Sequence, residues 1–157
     1  MTTNTIIPLL KKAYAAELET VQNYLANSVW LDGLRAQEVV EALSQDVTDE
    51  LSHARQLAQR LKQLGACPPG SLALVRNQEA LQPAADSTDL RHVVAGALAA
   101  ERDAVATYNE IIAACEGTDP VTVDLAVHIL ADEEKHRCLF EGFLKSIDQS
   151  VDRTKAA

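Results

Sequence analysis

Apolar side chains recur every three or four residues along four long segments of the chain, a spacing typical of amphipathic α-helices. The predicted helices cover about residues 7–32, 35–64, 88–115 and 120–148, and glycine or proline stands at or near each break between them. The alternating pattern of a half-buried strand is absent from the sequence. We therefore expect an all-α protein in which residues 1–157 form a single domain.

The lengths of the connecting segments predict how the four helices are arranged. The first and second helices are joined by a short turn, as are the third and fourth, so each pair is expected to form an antiparallel hairpin. About 24 residues, 65–88, separate the second helix from the third. A segment of this length can climb the roughly 36 Å that a crossover requires. The expected fold is an antiparallel four-helix bundle with a long crossover between the second and third helices.

Acidic and histidine residues interrupt the apolar stripes near the middle of the helices. Each half of the chain carries one Glu-x-x-His motif, whose two side chains lie on one face of a helix. A single glutamate precedes the motif by 33 residues in the first half and by 32 in the second, and a tyrosine follows that glutamate by seven in both. The first half thus contributes Glu17, Tyr24, Glu50 and His53, and the second contributes Glu101, Tyr108, Glu133 and His136.

This arrangement predicts a metal centre with two cations. Four carboxylates in an apolar interior repel each other and lose their hydration unless something neutralises them. Two divalent cations would balance the four charges and would leave both histidines neutral as ligands, and iron or manganese suits such a donor set. One Glu from each of two helices and Glu-x-x-His from each of the other two is the ligand set of four-helix di-iron carboxylate proteins. Either motif alone would more simply be a pair on a helix surface.

Composition excludes several classes of function. A net charge of −9 argues against a nucleic-acid partner, and no apolar run is long enough to span a membrane. The start of the chain, Met1 to Thr5, lacks the basic and apolar regions of a secretion signal. The three cysteines, Cys67, Cys115 and Cys138, are odd in number and widely spaced, which fits a reducing compartment and no Cys-x-x-Cys site. We expect a cytoplasmic protein.

Four blocks of residues, within about 7–145, resemble the ferritin-like superfamily and especially its bacterioferritin-type members. The blocks are Ala16-Glu17-Leu18 with Tyr24, Asp49-Glu50-Leu51-Ser52-His53-Ala54, Ala100-Glu101 with Tyr108, and Leu130-Ala131-Asp132-Glu133-Glu134-Lys135-His136. The resemblance implies that Glu50 and Glu133 bridge two iron ions, that Glu17 and Glu101 are terminal ligands, and that His53 and His136 bind one iron each. It also implies oxidation of Fe(II) by dioxygen or peroxide, for iron storage or detoxification, in a homo-oligomer that is a dimer or a cage. Manganese or zinc could replace the iron.

The sequence departs from the bacterioferritin pattern at three places. Bacterioferritins bind haem through a methionine directly after the glutamate of the second helix, but Leu51 occupies that position, so no haem is expected. An auxiliary iron site in some members uses a His–Asp pair just before that glutamate, where Gln45 replaces the histidine and Asp49 is retained. Only 21 residues follow His136, so a fifth helix is expected to be short or missing, with residues 150–157 frayed.

Several roles and functions remain open at this point. Tyr24 and Tyr108 are candidate catalytic residues that could donate an electron or orient a ligand, but a core tyrosine with a satisfied hydroxyl explains them equally well. Asp46 could accept a hydrogen bond from a ligand or admit metal, whereas Asp132 is expected to face solvent or another subunit. One alternative function is a non-cage di-iron oxidoreductase, such as a rubrerythrin-like peroxidase or a hydroxylase. Another is a Dps-like protective particle, against which the acidic charge weighs.

Overall fold

Four helices account for most of the chain. The computed structural model describes residues 3–155, with side chains over residues 5–150. The helices are α1 (Thr3–Trp30), α2 (Gln37–Gln63), α3 (Leu90–Cys115) and α4 (Pro120–Lys155), and two short 3-10 turns, Ser71–Ala73 and Glu79–Leu81, lie between α2 and α3. No strand occurs within residues 3–155. The predicted all-α four-helix bundle is therefore confirmed.

The observed helices begin and end within a few residues of the predicted positions, except that α4 continues past residue 148 to Lys155. The helix therefore covers most of the segment expected to be frayed, and residues 156 and 157 lie outside the described residues. Within residues 3–155, no helix combines the length and apolar character that crossing a lipid bilayer would require.

Polar residues and glycine define the ends of the helices. The carboxylate of Asp89 accepts a hydrogen bond of 2.9 Å from the backbone N–H of His92 and so caps the start of α3. Asp119 caps α4 in the same way through the N–H of Thr122, at 3.1 Å. At the end of α2, Gly65 has a φ of +77°, a conformation that glycine adopts at little cost.

The core consists of two apolar clusters, one toward each end of the bundle. The first cluster includes Tyr24, Leu43, Leu81, Val94, Leu98 and Phe140. The second includes Ile6, Leu10, Leu57, Leu61, Tyr108, Cys115 and Ile129. Burial of side chains of this size stabilises the fold by roughly 1.5–3 kcal/mol each. The acidic and histidine residues identified in the sequence lie between these two clusters.

The crossover, residues 64–89, runs along α1 and is held by polar side chains of that helix. The Glu19 carboxylate accepts the backbone N–H groups of Asn77 and Gln78, at 2.8 and 3.0 Å. Further along, the Asn27 side chain donates to Leu81 O and the Trp30 indole donates to Ala84 O, both at 2.8 Å. Later residues of the crossover contact later residues of α1, so the crossover runs parallel to α1. It therefore returns the chain to the end of the bundle from which α2 started, and α3 runs parallel to α2.

The crossover also lies directly on α3, and a glycine makes this close approach possible. A Cβ atom added at Gly96 would overlap the carbonyl oxygen of Ala80 and would lie 3.0 Å from the Cα of Leu81. Both neighbours are backbone atoms, so the contact cannot be relieved by a change of rotamer. Leu81 is buried beside this contact, within the first apolar cluster.

We expect Gly96→Ala to destabilise the protein, although the same change inside a helix normally stabilises it by about 1 kcal/mol. The displaced crossover should cost about 1–3 kcal/mol, a typical penalty for overpacking. Thermal unfolding followed by circular dichroism measures the effect. Gly142→Ala is the matched control, because Gly142 lies in α4 with nothing within 4 Å of an added Cβ, and it should leave the melting temperature unchanged or raise it. Equal gains of stability in both variants would contradict the close packing at Gly96.

Candidate metal centre

Six side chains converge in the middle of the bundle, one pair of them from α2, another from α4 and one residue each from α1 and α3. All six are buried, with relative exposures of at most 7%: Glu17, Glu50, His53, Glu101, Glu133 and His136. They are the six residues that the sequence predicted as metal ligands. The structure brings all of them together.

The first group of candidate ligands is built around His53. Its Nδ1 atom lies 2.9 Å from Glu133 Oε1, 3.5 Å from Glu50 Oε2 and 3.7 Å from Glu17 Oε2. One ligand atom from each of these four residues lies within 4.8 Å of the others, so one cation could contact all four.

The second group is built around His136 in the same way. Its Nδ1 atom lies 3.3 Å from Glu50 Oε1, 3.7 Å from Glu101 Oε2 and 3.9 Å from Glu133 Oε2. These four residues also offer ligand atoms within 4.8 Å of one another. Glu50 and Glu133 belong to both groups, whereas each histidine and each single glutamate belongs to one. Two shared carboxylates are the geometry expected of bridging ligands between two cations.

Many of the converging atoms have no hydrogen-bond partner among the described residues. They are Glu50 Oε1, His53 Nδ1, Glu101 Oε2, Glu133 Oε1 and His136 Nδ1. The atoms are close to one another, but their directions do not meet the requirements of a hydrogen bond. Buried polar atoms are nearly always paired in proteins, so a cluster of unpaired donor atoms facing one another fits bound cations.

The electrostatics of the cluster are those of crowded, dehydrated acids. Burial, and then repulsion by Glu17, raises the pKa of Glu50 and of Glu133 well above its usual range. Burial would lower the pKa of His136, but the nearby carboxylates of Glu101 and Glu50, at 3.7 and 3.3 Å, outweigh this effect and raise that pKa to about 11. The pKa of His53 is raised for the same reason, by Glu133, Glu17 and Glu50. In the metal-free protein, bound protons are therefore expected to neutralise part of the negative charge that cations would otherwise balance.

Each tyrosine pairs with a glutamate of the opposite half of the chain. The Tyr24 hydroxyl donates to Glu101 Oε1, and the Tyr108 hydroxyl donates to Glu17 Oε1. Burial, reinforced by these carboxylates, raises the pKa of both tyrosines well above the usual value, which keeps the hydroxyls protonated as donors. The contact fits an orienting role for the tyrosines, and their catalytic role stays a prediction. The crossed pairs also show that α1 and α3 are antiparallel.

Three aspartates lie on the outer side of the two histidines. His53 Nε2 is 3.5 Å from Asp132 Oδ2, and His136 Nε2 is 3.5 Å from Asp46 Oδ1 and 3.7 Å from Asp49 Oδ2. Asp132 is partly exposed, with 32% of its side chain accessible, and its contact with His53 of α2 was not expected from the sequence. The sequence contains the signal, since an aspartate directly precedes the glutamate of both motifs, giving Asp-Glu-x-x-His twice.

A cleft between α1 and α3 leads to the cluster. Its volume is about 680 Å³, and it reaches the carboxylates of Glu17, Glu50, Glu101 and Glu133. Small side chains form much of its wall, among them Ala13, Ala16, Ala100 and Ala104. The cleft therefore borders four of the six candidate ligands.

Comparison with known proteins gives consistent matches. A family model described as a ferritin-like domain matches residues 7–150. The chain is 31% identical over 143 residues to a DNA protection during starvation protein of Pyrococcus furiosus, covering 88% of this chain and 76% of the relative. It is 28% identical over 141 residues to a bacterioferritin of Desulfovibrio desulfuricans, covering 87% and 73%. The fold is similar to that of a dodecameric thioferritin, the bacterioferritin-related protein of Bacteroides fragilis, with a TM-score of 0.83 and 22% identity over 98% of this chain and 92% of that one.

We expect Glu133→Gln to stabilise the metal-free protein, and to do so more at pH 8 than at pH 5. The folded-state pKa of Glu133 is raised, so its cost to folding is absent below the usual pKa of 4.5 and grows as the pH rises toward the folded value. The neutral amide removes that cost, which is about 1.4 kcal/mol for each pH unit between the two pKa values. Thermal unfolding with a chelator present measures the difference at the two pH values.

Glu134→Gln is the matched control, because it removes the same charge from the adjacent residue, which pairs with Arg137 on the outer side of α4. It should change the free energy of unfolding by less than about 1 kcal/mol at either pH. A gain for Glu133→Gln that is absent at pH 8, or equal at both pH values, would contradict the proposed crowding of acids.

Proposed function

The chain belongs to the ferritin-like domain family, and on that basis we propose that it is a di-iron ferroxidase, which oxidises Fe(II) with dioxygen or hydrogen peroxide for iron storage or detoxification. The observation that supports this proposal is the pair of overlapping ligand groups, which share Glu50 and Glu133. Carboxylate and imidazole donors suit iron, and no cysteine takes part in either group. Manganese and zinc are substitutes that the same donors could bind.

The proposed roles of the residues follow from where each side chain lies. Glu50 and Glu133 would be shared between two Fe(II) ions, Glu17 and His53 would complete one position, and Glu101 and His136 would complete the other. Two Fe(II) ions held side by side would supply two electrons, which together with two protons reduce one dioxygen to hydrogen peroxide, or one hydrogen peroxide to two water molecules.

The remaining contributions come from protons and hydrogen bonds of the chain itself. Both histidines release a proton when they become ligands, since their pKa values are raised in the metal-free protein. Tyr24 and Tyr108 hold the single glutamates in place by donating to one oxygen of each. The other oxygen of each glutamate is left to bind metal, and for Glu101 this second oxygen has no hydrogen-bond partner among the described residues.

We further propose that the chain forms a homo-oligomeric shell. Large apolar side chains are exposed on the outer side of α1 and on the crossover, including Val29 at 80% and Leu72 at 103%. Apolar surface of this kind is expected at contacts between subunits. The similar protein of B. fragilis is described as dodecameric, which makes a shell the favoured assembly. Although one relative is named for DNA protection, a net charge of −9 disfavours DNA binding by this chain.

Removal of a shared or a terminal ligand should abolish rapid Fe(II) oxidation. We expect Glu50→Ala and His53→Ala to reduce the initial rate to that of Fe(II) in buffer, because each change leaves a position short of ligands. Stopped-flow absorbance after mixing with aerated buffer measures the rate. His128→Ala is the control, since His128 is exposed on α4, and it should oxidise Fe(II) at the unchanged rate. Unchanged rates in both ligand variants would eliminate the proposed centre.

Storage and turnover without storage are distinguished by mass and iron content. A storage protein should show the native mass of a closed shell and retain iron far beyond two ions per chain after repeated additions of Fe(II) in air. Native mass spectrometry and elemental analysis of the desalted protein measure both quantities. A dimer whose iron content stops at two per chain would support the alternative of a non-cage di-iron oxidoreductase and would contradict storage.

A further inference from the structure

The two halves of the metal centre are related by a reciprocal arrangement of their motifs. Each histidine directs Nδ1 toward the shared glutamates and Nε2 outward, toward an aspartate on the opposite helix. His53 of α2 faces Asp132 of α4 at 3.5 Å, and His136 of α4 faces Asp49 of α2 at 3.7 Å. Both aspartates are partly exposed, with 32% and 42% of the respective side chain accessible. On these contacts alone, the two positions would be equivalent.

Asp46 breaks this equivalence. It lies four residues before Glu50, and the residue at the corresponding place before Glu133 is Ile129, which is fully buried. Asp46 Oδ1 lies 3.5 Å from His136 Nε2, so that nitrogen faces two carboxylates. Among the described residues, His53 Nε2 has an ion-pair contact with Asp132 alone.

Burial of the Asp46 carboxylate costs free energy, and packing of the core does not require a carboxylate at this position. The residue is 4% exposed, and its Oδ2 atom has no hydrogen-bond partner among the described side chains. Burial outweighs attraction by His136 and raises the pKa of Asp46 to about 6. An apolar residue fits the equivalent place in α4, as Ile129 shows. The carboxylate at residue 46 is therefore better explained by its contact with His136 than by the core around it.

We infer, on the basis of the proposed function, that Asp46 is a positioning residue that makes the two metal positions unequal. The metal position that includes His136 then binds a divalent cation more tightly than the one that includes His53. The buried carboxylate lies 3.5 Å from His136 Nε2, and this contact would hold the ring with Nδ1 toward the shared glutamates and make the imidazole a stronger ligand. The first cation occupies the position of His136. The second cation, at the position of His53, is the one that exchanges more easily.

The test measures each position separately with Co(II), a divalent ion that air does not oxidise under these conditions and whose absorption reports its coordination. His53→Ala retains the position of His136, and His136→Ala retains the position of His53. Adding Asp46→Asn to each protein completes a double-mutant cycle, since the amide keeps the shape of the side chain and removes the charge. In the His53→Ala protein we expect Asp46→Asn to weaken Co(II) binding by roughly 10–100-fold, the range typical for loss of a group that orients a metal ligand. In the His136→Ala protein the change should be less than about threefold.

Asp49→Asn is the matched control on the same helix, because it removes the same charge from the partly exposed side chain that also faces His136. Its effect in the His53→Ala protein should be smaller than that of Asp46→Asn. Where a single-histidine protein binds Co(II) too weakly to measure, the two stepwise constants of the otherwise unsubstituted chain give the same test, and Asp46→Asn should bring them closer together.

Different results overturn the inference and the proposed function. Equal weakening by Asp46→Asn in both single-histidine proteins, or an equal effect of Asp49→Asn, overturns the inference, since the effect would then be one of overall charge. A lower melting temperature of metal-free Asp46→Asn together with equal weakening at both positions overturns it as well, because the role would then be structural. If the unsubstituted chain binds no Co(II), the proposed function fails instead.

Discussion

Repulsion among four carboxylates in one dehydrated layer dominates the middle of this bundle. Glu17, Glu50, Glu101 and Glu133 are almost completely buried between two apolar clusters, where charge is costly. In the metal-free protein, the pKa values of both histidines and of Glu50 and Glu133 are raised, which favours bound protons on these side chains. These protons reduce the repulsion. The apolar clusters on either side stabilise the helices strongly enough for such a layer to persist, and cations are the natural replacement for the protons.

The topology determines which motifs meet. Polar side chains of α1 guide the crossover back along that helix, so α2 and α3 are parallel and α2 and α4 are antiparallel. The antiparallel pair places His53 beside Glu133 and His136 beside Glu50. One sequence motif therefore faces its own repeat, and two shared carboxylates result. A short connection between α2 and α3 would have made α2 and α4 parallel, and this antiparallel pairing of the motifs would have been lost.

Helical periodicity was sufficient to predict the bundle and the six candidate ligands in its interior, because a carboxylate within an apolar stripe is conspicuous in the sequence. The crossed pairing of Tyr24 with Glu101 was not predictable, since a heptad spacing relates each tyrosine only to the glutamate of its own helix. The contacts of Asp132 and Asp46 with histidines of the opposite helix also depend on tertiary packing. Similarly, the need for glycine at residue 96 is visible only when the crossover lies on α3.

The central claim is that two cations displace protons from this layer. Isothermal titration calorimetry with Co(II) at pH 7, in two buffers that differ in ionisation enthalpy, measures both the number of ions bound and the number of protons released. Two ions per chain and release of about two protons or more are expected, because metal ligands must be deprotonated and the pKa values of both histidines and of Glu50 and Glu133 are raised in the metal-free protein. Binding of fewer than two ions, or of two ions without proton release, would contradict this claim.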